Sequence, residues 1–139
     1  MRLIYYRYST YIHASFMLFM GIAIYLLYRP QNLLVFKIID ACGLSYVIDS
    51  LRLSFSKFLL PPFVVNSLPA GLWTASYLMM MYITTKFNTR RIRLILALPL
   101  PIMAIVLEFM QLWGWCPGTF DIYDLICYIV PIFVFIKSI

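Results

Sequence analysis

The run Tyr11-Ile-His-Ala-Ser-Phe-Met-Leu-Phe-Met-Gly-Ile-Ala-Ile-Tyr-Leu-Leu-Tyr28 carries no Asp, Glu, Lys or Arg, and it stops at Arg29-Pro30. A helix needs about 20 mostly apolar residues to cross the hydrocarbon layer, and a charge followed by proline is a helix stop. The run therefore predicts a transmembrane helix over residues 11–28. Residues 1–8 ahead of it, with Arg2 and Arg7, are basic like the start of a signal peptide. No small-residue cleavage site follows, so the reading is a retained first helix.

Similar runs recur along the chain. Residues 64–85 follow Pro61-Pro62 and end before Lys86. Residues 94–113 contain Pro99 and Pro101, which predict a kink that neighbouring helices can accommodate. Residues 122–137 form a short last span. Of the 139 residues 64% are apolar and 12% charged, and the mean hydropathy is +0.92. Soluble domains run at roughly half apolar and about a quarter charged. With 18% aromatics the chain is no disordered tail either. The expected fold is all-α, a single polytopic transmembrane helix bundle.

Residues 33–60 are the exception. They are apolar but interrupted by Lys37, Asp40, Asp49, Arg52 and Lys57. A charge at the bilayer centre costs about 2.5–3.5 kcal/mol on insertion scales, which disfavours a lipid-facing span. The segment reads either as a fifth span with its charges turned inward, or as helices partly embedded in, or re-entrant at, one interface. Charge bias favours the second, with five spans as the alternative. With four spans, Arg2, Arg7, Lys86, Arg90, Arg91, Arg93 and Lys137 all lie on the cytoplasmic side, as the positive-inside rule requires. With five, the two basic clusters fall on opposite sides. The expectation is thus an integral membrane protein with both termini cytoplasmic. The net charge of +6 is explained by these loops, and nucleic acid is not an expected partner.

That topology places Asp40, Asp49, Glu108, Asp121 and Asp124, the only acids, toward the outer side. Glu108 and Gln111 are three residues apart, so they share a helix face and can point into one groove. An intramembrane carboxylate is by default a functional-site candidate in need of a partner, and Arg29 and Arg52 have the right sign. Beyond a short turn, Thr119 or Asp121 can cap the last helix, and Asp124 falls in its first turn, where a carboxylate meets the positive end of the helix dipole. The turn brings Glu108, Gln111, Asp121 and Asp124 to one end of a hairpin. Carboxylates that close can bind a divalent metal, grip a polar head group or share protons. His13, alone in the first span, reads as structural. Trp73, Trp113 and Trp115 suit interface anchoring, and Gly71 suits close helix packing. Cys42, Cys116 and Cys127 lack metal-ligand spacing and read as unpaired thiols. There is no Gly-rich phosphate loop, no His/Cys set and no Ser/His/Asp order, so no cofactor or metal is assigned.

The run Glu108-Phe-Met-Gln111, followed by Gly118-Thr-Phe-Asp121-Ile-Tyr-Asp124, resembles the signature of VanZ-like membrane proteins. Their pattern is a Glu-x-x-Gln closing one span and a Thr-Phe-Asp-x-x-Asp opening the last. Tyr25-Leu-Leu-Tyr-Arg29 and Ser67-Leu-Pro-Ala-Gly-Leu-Trp73 also look like elements of short members from Bacteroidota. Many members carry Arg before the Thr-Phe-Asp and Asn after the last Asp; here Gly118 and Cys127-Tyr128 stand in those neighbourhoods. The family is named for low-level resistance to the glycopeptide teicoplanin. The resemblance implies a cell-envelope setting, in the inner membrane of a bacterium, and names no reaction.

Three functions follow as expectations. In the first, an outward-facing pocket binds or acts on a lipid-linked or peptidoglycan-related envelope precursor. Glu108 is its central acid or base, with Asp121 and Asp124 beside it and Arg29, Arg52, Gln111 and Thr119 contacting the ligand. In the second, the chain is a small accessory or structural subunit packed against larger membrane proteins; membrane lipids and copies of the chain itself are further expected partners under any of the readings. The third, a transporter or channel, lacks the inverted repeat such folds show.

Overall fold

Every apolar run of the sequence folds as helix, because in each the backbone can satisfy its own hydrogen bonds without a partner strand. The structure, a computed structural model, describes the backbone of residues 2–139 and the side chains of residues 8–139. Arg2 and Arg7 of the first basic cluster lie outside the described side chains. Among the described residues the fold is all-α, with no strand. Eight helices follow one another: α1 Arg2–Tyr28, α2 Leu34–Ala41, α3 Ser45–Phe55, α4 Pro62–Asn66, α5 Leu68–Thr84, α6 Arg90–Ala97, α7 Pro99–Leu112 and α8 Ile122–Ser138.

Helix α5 is the central element, packed between α1 on one side and α8 on the other, while α7 leans on α8. Small residues allow these approaches. A Cβ on Gly21 would stand 2.5 Å from the Trp73 ring nitrogen and 3.3 Å from the Pro69 carbonyl, so only glycine lets α1 lie this close to α5. Midway along the same contact the Ser76 hydroxyl donates to the Ala14 carbonyl at 2.7 Å, a buried bond from helix to helix. On the other face, a Cβ on Gly71 would meet the Cys127 Cβ at 3.0 Å and the Cys127 carbonyl at 3.3 Å. That carbonyl has no helical donor, because the residue four positions on is Pro131. The glycine thus brings α5 onto a carbonyl of α8 that Pro131 leaves without its helical donor.

The interior mixes small and polar residues (Ala14, Gly21, Ser67, Gly71, Thr74, Ser76, Thr85 and Glu108) with the apolar Ile24, Phe36, Leu78, Ile83 and Phe135, whereas Phe16, Phe19, Ile95, Met103 and Phe133 are exposed. Among the described residues one helical stretch, Tyr8–Tyr28, is long and apolar enough to cross a membrane, and only 17% of its most apolar window is buried. The pair Arg90–Ala97 and Pro99–Leu112 passes the same test as a unit bent by 43°. Pro99 and Pro101 account for the bend, since they withhold the donors that would bind the Ile95 and Ala97 carbonyls.

Residues 33–60 do not form one continuous helix. Helix α2 ends where Cys42 and Gly43 donate to Ile38 and Asp40, and Leu44 donates back to Ile39 at 3.1 Å, with Gly43 at φ +71°. This is a glycine helix stop. At 8 and 11 residues, α2 and α3 are about 12 and 17 Å long, too short to span singly. Similarly, the run over 64–85 is broken at Ser67 into α4 and α5.

Candidate functional site

Both α5 and α7 rest on α8, but they do not pack closely on each other. The space left between them, at the end where α1 finishes and α8 begins, is a cavity of about 790 Å³. Its walls include Arg29, Glu108, Gln111, Thr119, Asp121 and Asp124. The structure therefore brings together six of the seven residues singled out in the sequence. Arg52 is not among them. Its guanidinium donates to the Leu26 carbonyl at 2.7 Å and lies 5.4 Å from the centre of the Phe36 ring, so it ties α3 to the end of α1 instead of meeting Glu108.

Glu108 is the deepest of the acids, at 6% exposure. The Asp121 backbone N–H faces its carboxylate, whose Oε2 is buried without a partner. Asp121 caps α8, its side chain accepting from the Tyr123 N–H at 2.9 Å. It thereby holds the turn so that its own N–H faces Glu108. Thr119, the other possible cap, lines the cavity instead. The buried Ser67 hydroxyl donates to Asp121 Oδ2 at 3.4 Å and faces Asp124 as well. Asp124 Oδ1 is also buried without a partner. Gln111 is held against Gly118: a Cβ there would stand 2.7 Å from its Cδ.

The opposite wall is cationic. Arg29 donates through its terminal nitrogen to the Asn66 carbonyl at 2.7 Å, beside the Tyr25 ring, while its Nε has no partner. Trp73 stacks at a tilt on Tyr25, 5.4 Å between centres, and its buried ring N–H is likewise unpartnered. Trp73 therefore faces the interior and is not a boundary anchor; Trp113 and Trp115 are exposed and touch each other. Two acceptors and two donors, all buried and unpaired, thus line one cavity.

Tyr25, Trp73, Tyr77 and Tyr128 complete its aromatic lining, and none of the four was singled out as a site residue by the sequence reading. A signal existed for two of them. Tyr128 is one turn beyond Asp124 and Tyr25 one turn before Arg29, each on the same helix face as its charged neighbour. Among the described residues no group of three or more His, Cys, Asp or Glu is placed to hold a metal ion, so the divalent-metal option for this hairpin finds no such cluster. His13 is exposed and bonded to its own helix, Nδ1 to the Ser9 carbonyl at 2.6 Å. Cys42, Cys116 and Cys127 are free thiols.

The fold and site define an all-helical protein with a buried-carboxylate cavity at one end. Comparison with protein-family models, with curated proteins and with solved structures finds no match. The likeness to VanZ-like proteins rests on residues 108–124 and the two shorter segments alone.

Proposed function

We propose that the chain is a VanZ-like integral protein of a bacterial cytoplasmic membrane, crossing it four times with both ends inside. Its outward-facing cavity binds or acts on a lipid-linked or peptidoglycan-related molecule. The spans are α1, α5, the bent α6–α7 unit and α8. Helices α5 and α8, at 17 residues each, are about 26 Å long, at the lower end of spanning length. Helices α2 and α3 lie along the outer interface, where their exposed Leu34, Ile38, Tyr46 and Leu53 meet lipid and their charges meet head groups. Lys86, Arg90, Arg91, Arg93 and Lys137 sit at the opposite, cytoplasmic end.

The observation that carries this reading is Glu108. A carboxylate buried to 6% exposure with a free oxygen is costly, and it stands in a cavity with an arginine opposite. Glu108 acts as the central acid or base, Asp121 and Asp124 position a polar group, Gln111 and Thr119 hydrogen-bond it, and Arg29 meets a phosphate. The test compares Glu108→Gln and Asp121→Asn with the unaltered chain, reading membrane insertion and teicoplanin susceptibility of an expressing strain. Variants that insert normally and keep the full phenotype sink the reading.

An accessory role is favoured by one feature, an apolar groove of about 600 Å³ where Met17, Leu78, Met79 and Val130 line the junction of α1, α5 and α8. Purification in a gentle detergent checks it: a stoichiometric membrane partner supports the role, and a monomer or self-oligomer alone argues against it.

A further inference from the structure

The charges in the cavity are not mixed but divided. Glu108, Asp121 and Asp124 form the wall built by α7, the following turn and α8, while Arg29 stands across from them at the end of α1. Glu108 Oε2 and Asp124 Oδ1 await donors; Arg29 Nε and the Trp73 ring N–H await an acceptor. An anionic ligand alone would satisfy the arginine and be repelled by the carboxylates, and a simple cation would do the reverse. A neutral sugar would offer hydrogen bonds but bring no opposite charge to either the carboxylates or the guanidinium.

We infer that the cavity takes a phosphate ester bearing a primary ammonium, the chemistry of an ethanolamine phospholipid head group, with the ammonium on Glu108 and Asp124 and the phosphate on Arg29. This rests on the pocket reading above and names its ligand class. The Tyr128 ring, one turn beyond Asp124 and also lining the cavity, adds an aromatic face at the ammonium end. The lining also runs down α7 through Ala104 to Leu100, which is 55% exposed; this gives acyl chains a route out of the cavity.

Native mass spectrometry of the detergent-purified chain with water-soluble short-chain phospholipids tests this. The ethanolamine lipid binds about tenfold or more tighter than the glycerol lipid, and about tenfold tighter than the choline lipid, which has no ammonium hydrogens to donate; tenfold is about 1.4 kcal/mol. Glu108→Gln and Asp124→Asn each erase most of that preference. Free phosphoethanolamine binding as well as the lipid assigns the ligand to solution; much weaker binding assigns it to the membrane. Equal binding of ethanolamine and glycerol lipids by the unaltered chain overturns the inference, whatever the variants do. If that happens while Glu108→Gln still abolishes the envelope phenotype, the pocket reading survives without this ligand. If Glu108→Gln inserts normally and keeps the phenotype, the pocket reading itself has failed.

Discussion

Replacing Gly118 by alanine should damage the cavity through two separable effects. The first is backbone strain. Gly118 holds φ at +137°, a conformation that costs a residue with a Cβ on the order of 1–3 kcal/mol. The second is steric. The new methyl would stand 2.7 Å from Gln111 Cδ and 2.9 Å from its amide nitrogen, well inside the roughly 3.5–4.0 Å of optimal carbon contact. Gln111 must therefore leave its place, at about 0.5–1.5 kcal/mol if it is pushed off its rotamer. The total expected loss is about 1.5–4.5 kcal/mol. Gly114→Ala provides the control, because its φ is +71° and nothing lies within 4 Å of the added carbon; it should show only strain, about 1–2 kcal/mol. Reversible unfolding in mixed micelles, followed by circular dichroism, measures both. A further Gln111→Ala change in the Gly118→Ala background should recover about 1 kcal/mol, since contacting residues couple by about 0.5–3 kcal/mol. If Gly118→Ala is no more harmful than Gly114→Ala, and removing Gln111 recovers nothing, the close seat of Gln111 beneath the turn is wrong.

Four further substitutions have expected outcomes. Ser76→Ala deletes the bond to the Ala14 carbonyl and should cost about 0.6 kcal/mol, at most about 1.7, in the same unfolding assay. Gly71→Val drives a side chain into Cys127, whose Cβ and carbonyl are already 3.0 and 3.3 Å from the position of a first carbon; overpacking of this kind costs about 1–3 kcal/mol, and a variant as stable as the unaltered chain contradicts the close α5–α8 crossing. Arg52→Gln should lower stability by about 1 kcal/mol through its lost bond to Leu26 yet leave short-chain lipid binding unchanged. Arg29→Gln should weaken that binding about tenfold or more, and equal effects of the two arginines count against the division of roles.

Much of the fold is legible because lipid-length apolar runs and prolines act locally. The first helix and its stop at Arg29-Pro30 follow from composition, and the bend at Leu98 follows from Pro99 and Pro101. The break at Gly43 is a single residue inside an apolar stretch; charge made residues 33–60 doubtful as a span without showing where they divide. In the site, Glu108, Gln111, Asp121 and Asp124 are readable together because one turn joins two helices, so their proximity is nearly a local property. Arg29 and Arg52 were equivalent in sequence. Which of them enters the cavity is decided by tertiary contacts, the carbonyl of Asn66 for one and that of Leu26 for the other. Trp73 illustrates the same limit: its position at the start of a helix suggests a boundary anchor, but Gly21 on another helix makes room for it inside.

The sidedness of the cavity is open to one direct measurement, labelling of single-cysteine variants by a membrane-impermeant maleimide on intact spheroplasts. Thr119→Cys, at the exposed mouth of the cavity, and the native Cys116 in the same turn are compared with Phe87→Cys, in the exposed turn after α5. The four-span arrangement predicts that Thr119→Cys and Cys116 react on intact cells, whereas Phe87→Cys reacts only after lysis. Labelling of all three from the same side, or the reverse pattern, contradicts an outward-facing site.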